Sequence, residues 1–429
     1  MDRPPTPPGR GPHRVLVCGA AALALALSPV AASAAPEDPS PAPSAPADDA
    51  AVPQILDVSD AACAESSDRV IEDLPWTHGA LGLDEAHALS RGEGVTVAVL
   101  ASGLDAGAPA LEDAVTGGGT DTDCRGYGTF LAGIVAARPR PDSGFVGVAP
   151  GARILGVATG DPQTGEVTAA QLAASLRSAV ESEARVVLVG TAVTEGSAEL
   201  SEAAAAAEEA GVLVVAPASV WGRDGTRPGH PARESTVLAV AAHAPDGRPV
   251  VQEVMVVQGE AEPARVDLVA PGSQVLGIGP GGEGHRTSQG DGVAAAFTAG
   301  TAALLLSREP DLTPERLRER LAATAYPSAL GSADPVTGSG RIDPVGALVA
   351  APGGRGGTVE GAEFVPDPSD RGEMDSLPVV LTVGGTVLVV TLAALGRPVL
   401  AGGRARGWRP ARPGERPGEK NDEKDGGQD

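Results

Sequence analysis

Six short runs of β-branched and aliphatic residues, at 95–100, 154–158, 186–189, 212–216, 237–242 and 266–269, constrain this chain more than any other feature. Each is apolar almost without interruption, whereas a strand with one wet face alternates polar and apolar residues. Strands of this kind have to be covered on both sides. Helical stretches fall between them. Thr168, with Gln171 three residues on, makes a capping box ahead of a helix over 172–182, and the Ala/Glu-rich stretch 199–210 ends at Gly211. The run 294–307 reads as a buried helix whose small residues permit close approach. Thr313-Pro314 supplies an N-cap and a first-position proline for a helix to residue 323. Strand, helix, strand in this order predicts an α/β fold, a doubly wound parallel sheet flanked by helices.

Only 2% of the 429 residues are aromatic, so Ala, Val and Leu must fill those layers. The formal net charge of −24 argues against nucleic acid, an anionic membrane surface or an acidic substrate as partner of the folded part.

Both ends carry topology signals. Residues 1–35 combine Arg3, Arg10 and Arg14, an apolar run over 15–27 and the small residues Ala31-Ala-Ser-Ala-Ala35, the layout of a signal peptide cleaved near Ala34 or Ala35. Residues 377–396 hold no charge and are long enough, at about 30 Å as a helix, to cross a bilayer. Arg397, Arg404, Arg406, Arg409 and Arg412 follow them. By the positive-inside rule the chain is a single-pass cell-membrane protein whose C-terminus is cytoplasmic and whose preceding domain lies outside. Between these signals come an extension over 36–74, partly disordered and rich in Pro, Ala, Ser and Asp over 36–54, the main domain over 75–350 and a Gly/Pro/acidic linker over 351–376. A charged cytoplasmic tail follows over 397–429. Cys18 leaves with the signal peptide. The remaining Cys63 and Cys124 suggest one disulfide in an exported chain, closing a loop of about 60 residues at roughly 4 kcal/mol. Two free thiols are the alternative.

Five motifs lie along the main domain: Gly94-Val-Thr-Val-Ala-Val-Leu-Ala-Ser-Gly-Leu-Asp105; Asp123-Cys-Arg-Gly-Tyr-Gly-Thr-Phe-Leu-Ala-Gly133; Gly144-Phe-Val-Gly-Val-Ala-Pro-Gly-Ala152; Val269-Ala-Pro-Gly272; and Gly290-Asp-Gly-Val-Ala-Ala-Ala-Phe-Thr-Ala-Gly300. In order and spacing they resemble the subtilisin-like serine proteases over 94–350. More narrowly, Leu74-Pro-Trp76, the run 89–97, Asp123-Cys124 and Gly340-Arg-Ile-Asp-Pro344 resemble the mycosins, membrane-anchored subtilases associated with type VII secretion. The resemblance implies a subtilisin-like domain, a pairing of Cys124 with Cys63, and the secretion machinery as partner.

It also implies a triad. A serine hydrolase needs an imidazole to take the hydroxyl proton, a carboxylate to orient the imidazole, and amide donors for the oxyanion. At the matching positions stand Ala101 for the Asp, Tyr127 for the His and Gly292 for the Ser, while the oxyanion Asn falls on Ser219. A methyl accepts no hydrogen bond, a phenol with a pKa near 10 is a poor base, and glycine has no nucleophile. Losing Ser or His alone costs up to about a millionfold in rate. The expected product is a pseudoprotease, an extracytoplasmic chain that binds an extended peptide or serves as a structural part without cleaving. An active endopeptidase and a pure scaffold with a vestigial cleft are the alternatives.

Neither cofactor nor metal is expected. Asp105, Asp121 and Asp123 match no calcium-loop spacing and read as a solvated acidic turn. His285 and Ser288 could form a relocated dyad, but in a Gly-rich stretch they read as solvated loop residues. Ser219 retains a hydroxyl that could donate, with a shorter reach than Asn.

Overall fold

Alternation along each strand divides the apolar runs between two separate cores. The structure, a computed structural model, describes residue 54 and residues 63–350 apart from 118–122, 223–224, 257–262, 282–283 and 329–333. Helices α1 (Trp76–Ala80) and α2 (Leu83–Leu89) lead into β1 (Thr96–Ala101), β2 (Val115–Gly117), α3 (Tyr127–Ala136) and β3 (Arg153–Ala158). Then come α4 (Ala169–Val180), β4 (Val186–Val189), α5 (Ala198–Glu209), β5 (Leu213–Pro217) and a hairpin of β6 (Ser219–Gly222) and β7 (Gly225–Pro228). After β8 (Val237–His243) and β9 (Leu268–Pro271), a second hairpin of β10 (Val275–Ile278) and β11 (His285–Ser288) precedes α6 (Asp291–Arg308), α7 (Pro314–Thr324) and α8 (Pro344–Val349).

The main sheet has the order β2-β3-β1-β4-β5-β8-β9, with every pairing parallel. All six expected runs are strands in it, with ends moved by one or two residues. Val97, Val99, Leu188, Val215 and Val240 face α3 and α6, whereas Ala98, Leu100, Val187, Val214 and Ala239 face α4 and α5. Successive side chains of one strand therefore enter different cores, which is why the central strands are apolar almost without interruption. Helix α6 is buried from Asp291 through Leu306, and a Cβ on Gly300 would lie 2.7 Å from the Val148 Cβ. That approach is what its small residues permit. The Thr168 capping box is present, with Thr168 Oγ1 accepting the Gln171 N–H and the Gln171 side chain accepting the Thr168 N–H.

Before α1 the chain runs as a strap over one end of the domain. Cys63 is joined to Cys124 by a disulfide, and the Ala64 N–H donates to the Cys124 carbonyl at 2.7 Å. The Arg69 carbonyl accepts the His285 N–H at 2.7 Å, and the Ile71 carbonyl accepts the Gly144 N–H at 3.0 Å. The expected signal peptide, linker, membrane span at 377–396 and tail lie outside the described residues. Among the described residues no helix is long and apolar enough to cross a membrane.

Replacing Thr168 by Ala removes the half of the capping box in which Thr168 Oγ1 accepts the Gln171 N–H and leaves the backbone half in place. The unfolding free energy is expected to fall by about 1 kcal/mol, as measured by denaturant titration.

Candidate functional site

The C-terminal ends of the central parallel strands converge on the N-termini of α3 and α6. Ala101, the last residue of β1, is buried there. Asp123 sets the start of α3: its Oδ1 accepts the Gly126 N–H at 2.8 Å, and its Oδ2 accepts the Thr129 N–H at 2.9 Å and the Thr129 hydroxyl at 2.7 Å. Gly126 takes a left-handed φ of 70° that lets the chain enter the helix with Tyr127 as its first residue. Burial raises the Asp123 carboxyl pKa, opposed by the Thr129 and Gly126 donors, while the Asp105 charge raises it further.

Tyr127 points across the site to α6. A Cβ built on Gly292 would lie 2.4 Å from the Tyr127 Oη and 2.3 Å from the Gly190 carbonyl oxygen. Real Cβ atoms do not approach so closely, so residue 292 has no room for any side chain in this arrangement. Ala101 closes the other flank, its Cβ 2.8 Å from where a Cβ on Gly128 would stand.

Asp291, the first residue of α6, is 3% exposed, and its carboxylate is held on both oxygens. Oδ2 accepts the Ser219 hydroxyl at 2.6 Å, and Oδ1 accepts the Ala242 N–H at 2.8 Å. A short charge-assisted bond of this kind is among the stronger ones, and the helix N-terminus favours the anion. The half-buried Trp221 donates its Nε1–H to the Ser219 oxygen at 3.1 Å. The single Ser219 proton is thus committed to Asp291. The cavity bounded by Gly190, Pro217, Ser219, Trp221, Asp291 and Gly292 holds about 20 Å³, room for one water. From Ala192 and Val220 a groove of about 700 Å³ opens outward between Asp161–Gln171 and Thr191–Gly196.

The subtilase family model matches residues 92–353, and this span contains every residue of the site. The chain belongs to the subtilase family. It is 32% identical to Mycosin-1 of Mycobacterium tuberculosis over 395 residues, 77% of this chain and 86% of that protein. Mycosin-3 of the same organism is 30% identical, with 76% and 83% covered. Among solved structures, MycP1, described as a serine protease and an essential component of the type VII (ESX-1) secretion system, has a TM-score of 0.56 at 29% identity. That likeness covers 68% of this chain and 92% of MycP1. The MycP3 protease of the type VII (ESX-3) system has a TM-score of 0.57 at 27% identity, with 70% and 95% covered. This subtilase is therefore mycosin-like.

Of the residues singled out from sequence, Ala101, Tyr127, Gly292 and Ser219 lie at this one site. The Ser219 hydroxyl differs from expectation, because Asp291 takes the proton it was expected to offer. Tyr127 stands where the family has its His, and its phenol reaches residue 292. His285 and Ser288 are not solvated. Both are buried in β11, and the imidazole meets Ser143, with Nε2 3.0 Å from Oγ, rather than Ser288. That pair is no nucleophile and base, because Nδ1 accepts the Ile71 N–H at 2.9 Å and the ring proton must sit on Nε2, facing Ser143. Asp123 is likewise a buried cap rather than part of a solvated turn. Asp105 accepts the Gly107 N–H on Oδ1 and the Gly281 N–H on Oδ2, and Asp121 lies outside the described residues. Among the described residues no group of three or more His, Cys, Asp or Glu side chains is placed to hold a metal. Trp221 was not singled out at all. A tryptophan two residues from an oxyanion-hole position was the available signal.

Gly292→Ser is expected to lower stability by about 1–3 kcal/mol through overpacking against Tyr127 and Gly190. In a double-mutant cycle with Tyr127→Ala, chemical denaturation should show the pair costing less than the sum by at least about 0.5 kcal/mol.

Proposed function

We propose that this mycosin-like subtilase is catalytically inactive and acts by binding, as a membrane-anchored component of type VII secretion. The observation that carries the loss of chemistry is the occupancy of the site by its own residues. Where the family pattern puts a nucleophilic serine, the space belongs to the Tyr127 phenol and the Gly190 carbonyl. Where it puts an oxyanion donor, the Ser219 hydroxyl is bound to a carboxylate, and a second negative charge could only be repelled there. Three missing triad groups and an occupied oxyanion site together leave no route for acyl transfer.

Similarity to MycP1 and MycP3 supports the secretion role, and the charge-free stretch 377–396 followed by arginines supports the anchor, with the domain on the outer side. The groove beside the closed end supports an extended peptide as ligand. Backbone pairing to such a groove needs no triad. The closed end, with room for one water, favours a second reading in which the cleft is vestigial and the outer faces alone do the work. Variants of Tyr127 distinguish the two, because a pure scaffold would support secretion unchanged.

A fluorophosphonate probe tests the central point. The full chain is expected to give no stoichiometric labelling of any serine, and clear labelling would overturn the reading. The triple variant Ala101→Asp, Tyr127→His, Gly292→Ser is also expected to stay unlabelled and to hydrolyse a peptide reporter only at background. It leaves the Gly190 carbonyl and the Ser219–Asp291 pair in place.

A further inference from the structure

His285 has a buried, uncharged bonding arrangement that the site chemistry does not use. It is 1% exposed and sits under the strap. Its Nδ1 accepts the Ile71 N–H at 2.9 Å, and its own backbone N–H donates to the Arg69 carbonyl at 2.7 Å. Its Nε2–H faces the Ser143 Oγ at 3.0 Å, and the Phe145 ring packs edge-on with centroids 6.0 Å apart. The strap lies backbone against backbone on its neighbours. A Cβ on Gly284 would be 1.9 Å from the Ser67 carbonyl, and one on Gly144 would be 2.3 Å from the Asp73 carbonyl. At one end the strap is tied by Cys63–Cys124, at the other by α1, where the Trp76 Nε1–H donates to the Gln274 carbonyl at 3.0 Å.

Adding a proton to this imidazole puts an N–H on Nδ1, directly facing the Ile71 N–H. Two donors then oppose each other in a buried place, and a charge is left without a carboxylate partner. The charged side chains of the segments packed against it are Glu65, Asp68, Arg69, Glu72 and Asp73 on the strap, Arg140 and Asp142 on the segment before Ser143, and Arg286 beside it on the hairpin. On the facing strand the partner is Ile278, and Glu283 lies outside the described residues. Burial alone accounts for a pKa lowered from 6.5, with no contribution resolved from any of those charges.

We propose that His285 is an acid-operated latch: a proton from solvent taken up on Nδ1 expels the Ile71 N–H and lets residues 64–74 swing off as a loop that the disulfide and α1 keep attached. The loop covers His285 itself and Arg286, whose buried guanidinium feels the Glu65 charge from the strap. The sign follows from linkage. The closed state has the depressed pKa and the open state the ordinary one, so closure is complete above 6.5 and is lost as pH falls towards the depressed value. Within that window the opening constant rises by up to about tenfold per pH unit.

Hydrogen exchange of the full chain between pH 7.5 and 5.0, corrected for intrinsic exchange rates, tests this. Protection of peptides spanning 64–74 is expected to fall by up to about tenfold per pH unit below 6.5. The core peptides of β1 and α6 should hold, and protection should return when the pH is raised. His285→Asn offers Oδ1 to the Ile71 N–H and does not titrate, so its strap should stay protected throughout. His87 and His243, which burial also lowers, are unchanged in that variant. Constant protection down to pH 5.0, equal loss in the variant, or loss that does not reverse would each overturn the latch. If the variant fails to fold by circular dichroism, the His285 ring resonance in the parent chain decides. Its midpoint must coincide with strap opening, and a titration that leaves the strap closed overturns the proposal.

Discussion

Burial of a parallel sheet on both faces is the constraint from which the rest of the molecule follows. The central strands are apolar almost throughout, because alternate residues serve the α3/α6 core and the α4/α5 core in turn. With few aromatic side chains to fill the layers, the helices have to come close, and small residues along α6 let them. The same parallel order sends the strands' C-terminal ends to one edge, where the helix N-termini collect. Functional groups in such a sheet are found there for topological reasons, whether or not they still react.

The sheet was legible because its pattern is strong and repeated, and the helices because Thr168, Gly211 and Thr313-Pro314 mark their ends. The hairpin of β10 and β11 was not legible. His285-Arg-Thr-Ser288 is polar at every position, and nothing in a polar run shows that a strap will bury it. Site positions could be placed by motif, but their interactions could not. Tyr127 meets residue 292 across 165 positions of chain, and Ser219 meets Asp291 across 72. Contacts at that separation depend on the assembled sheet. Asp123 was misjudged for a related reason. Its acidic neighbours in sequence suggest water, whereas its Thr129 and Gly126 donors belong to a helix start that only the fold creates.

The site is self-sufficient. Its polar side chains are bound to one another and to the backbone: the Ser219 hydroxyl donates to Asp291 and its oxygen accepts from Trp221, and the Asp291 carboxylate accepts from Ser219 and the Ala242 amide. The groove beyond it remains open.

The mutual fit of Tyr127, Gly190 and Gly292 carries an evolutionary consequence. A serine returning at 292 meets a phenol and a carbonyl, and an imidazole returning at 127 gives up the packing that the phenol supplies. A single substitution at either position is therefore selected against for stability first. The arrangement acts as a ratchet. A side chain at 292 fits only with several coordinated changes, including a shift of the Gly190 backbone that no single codon encodes.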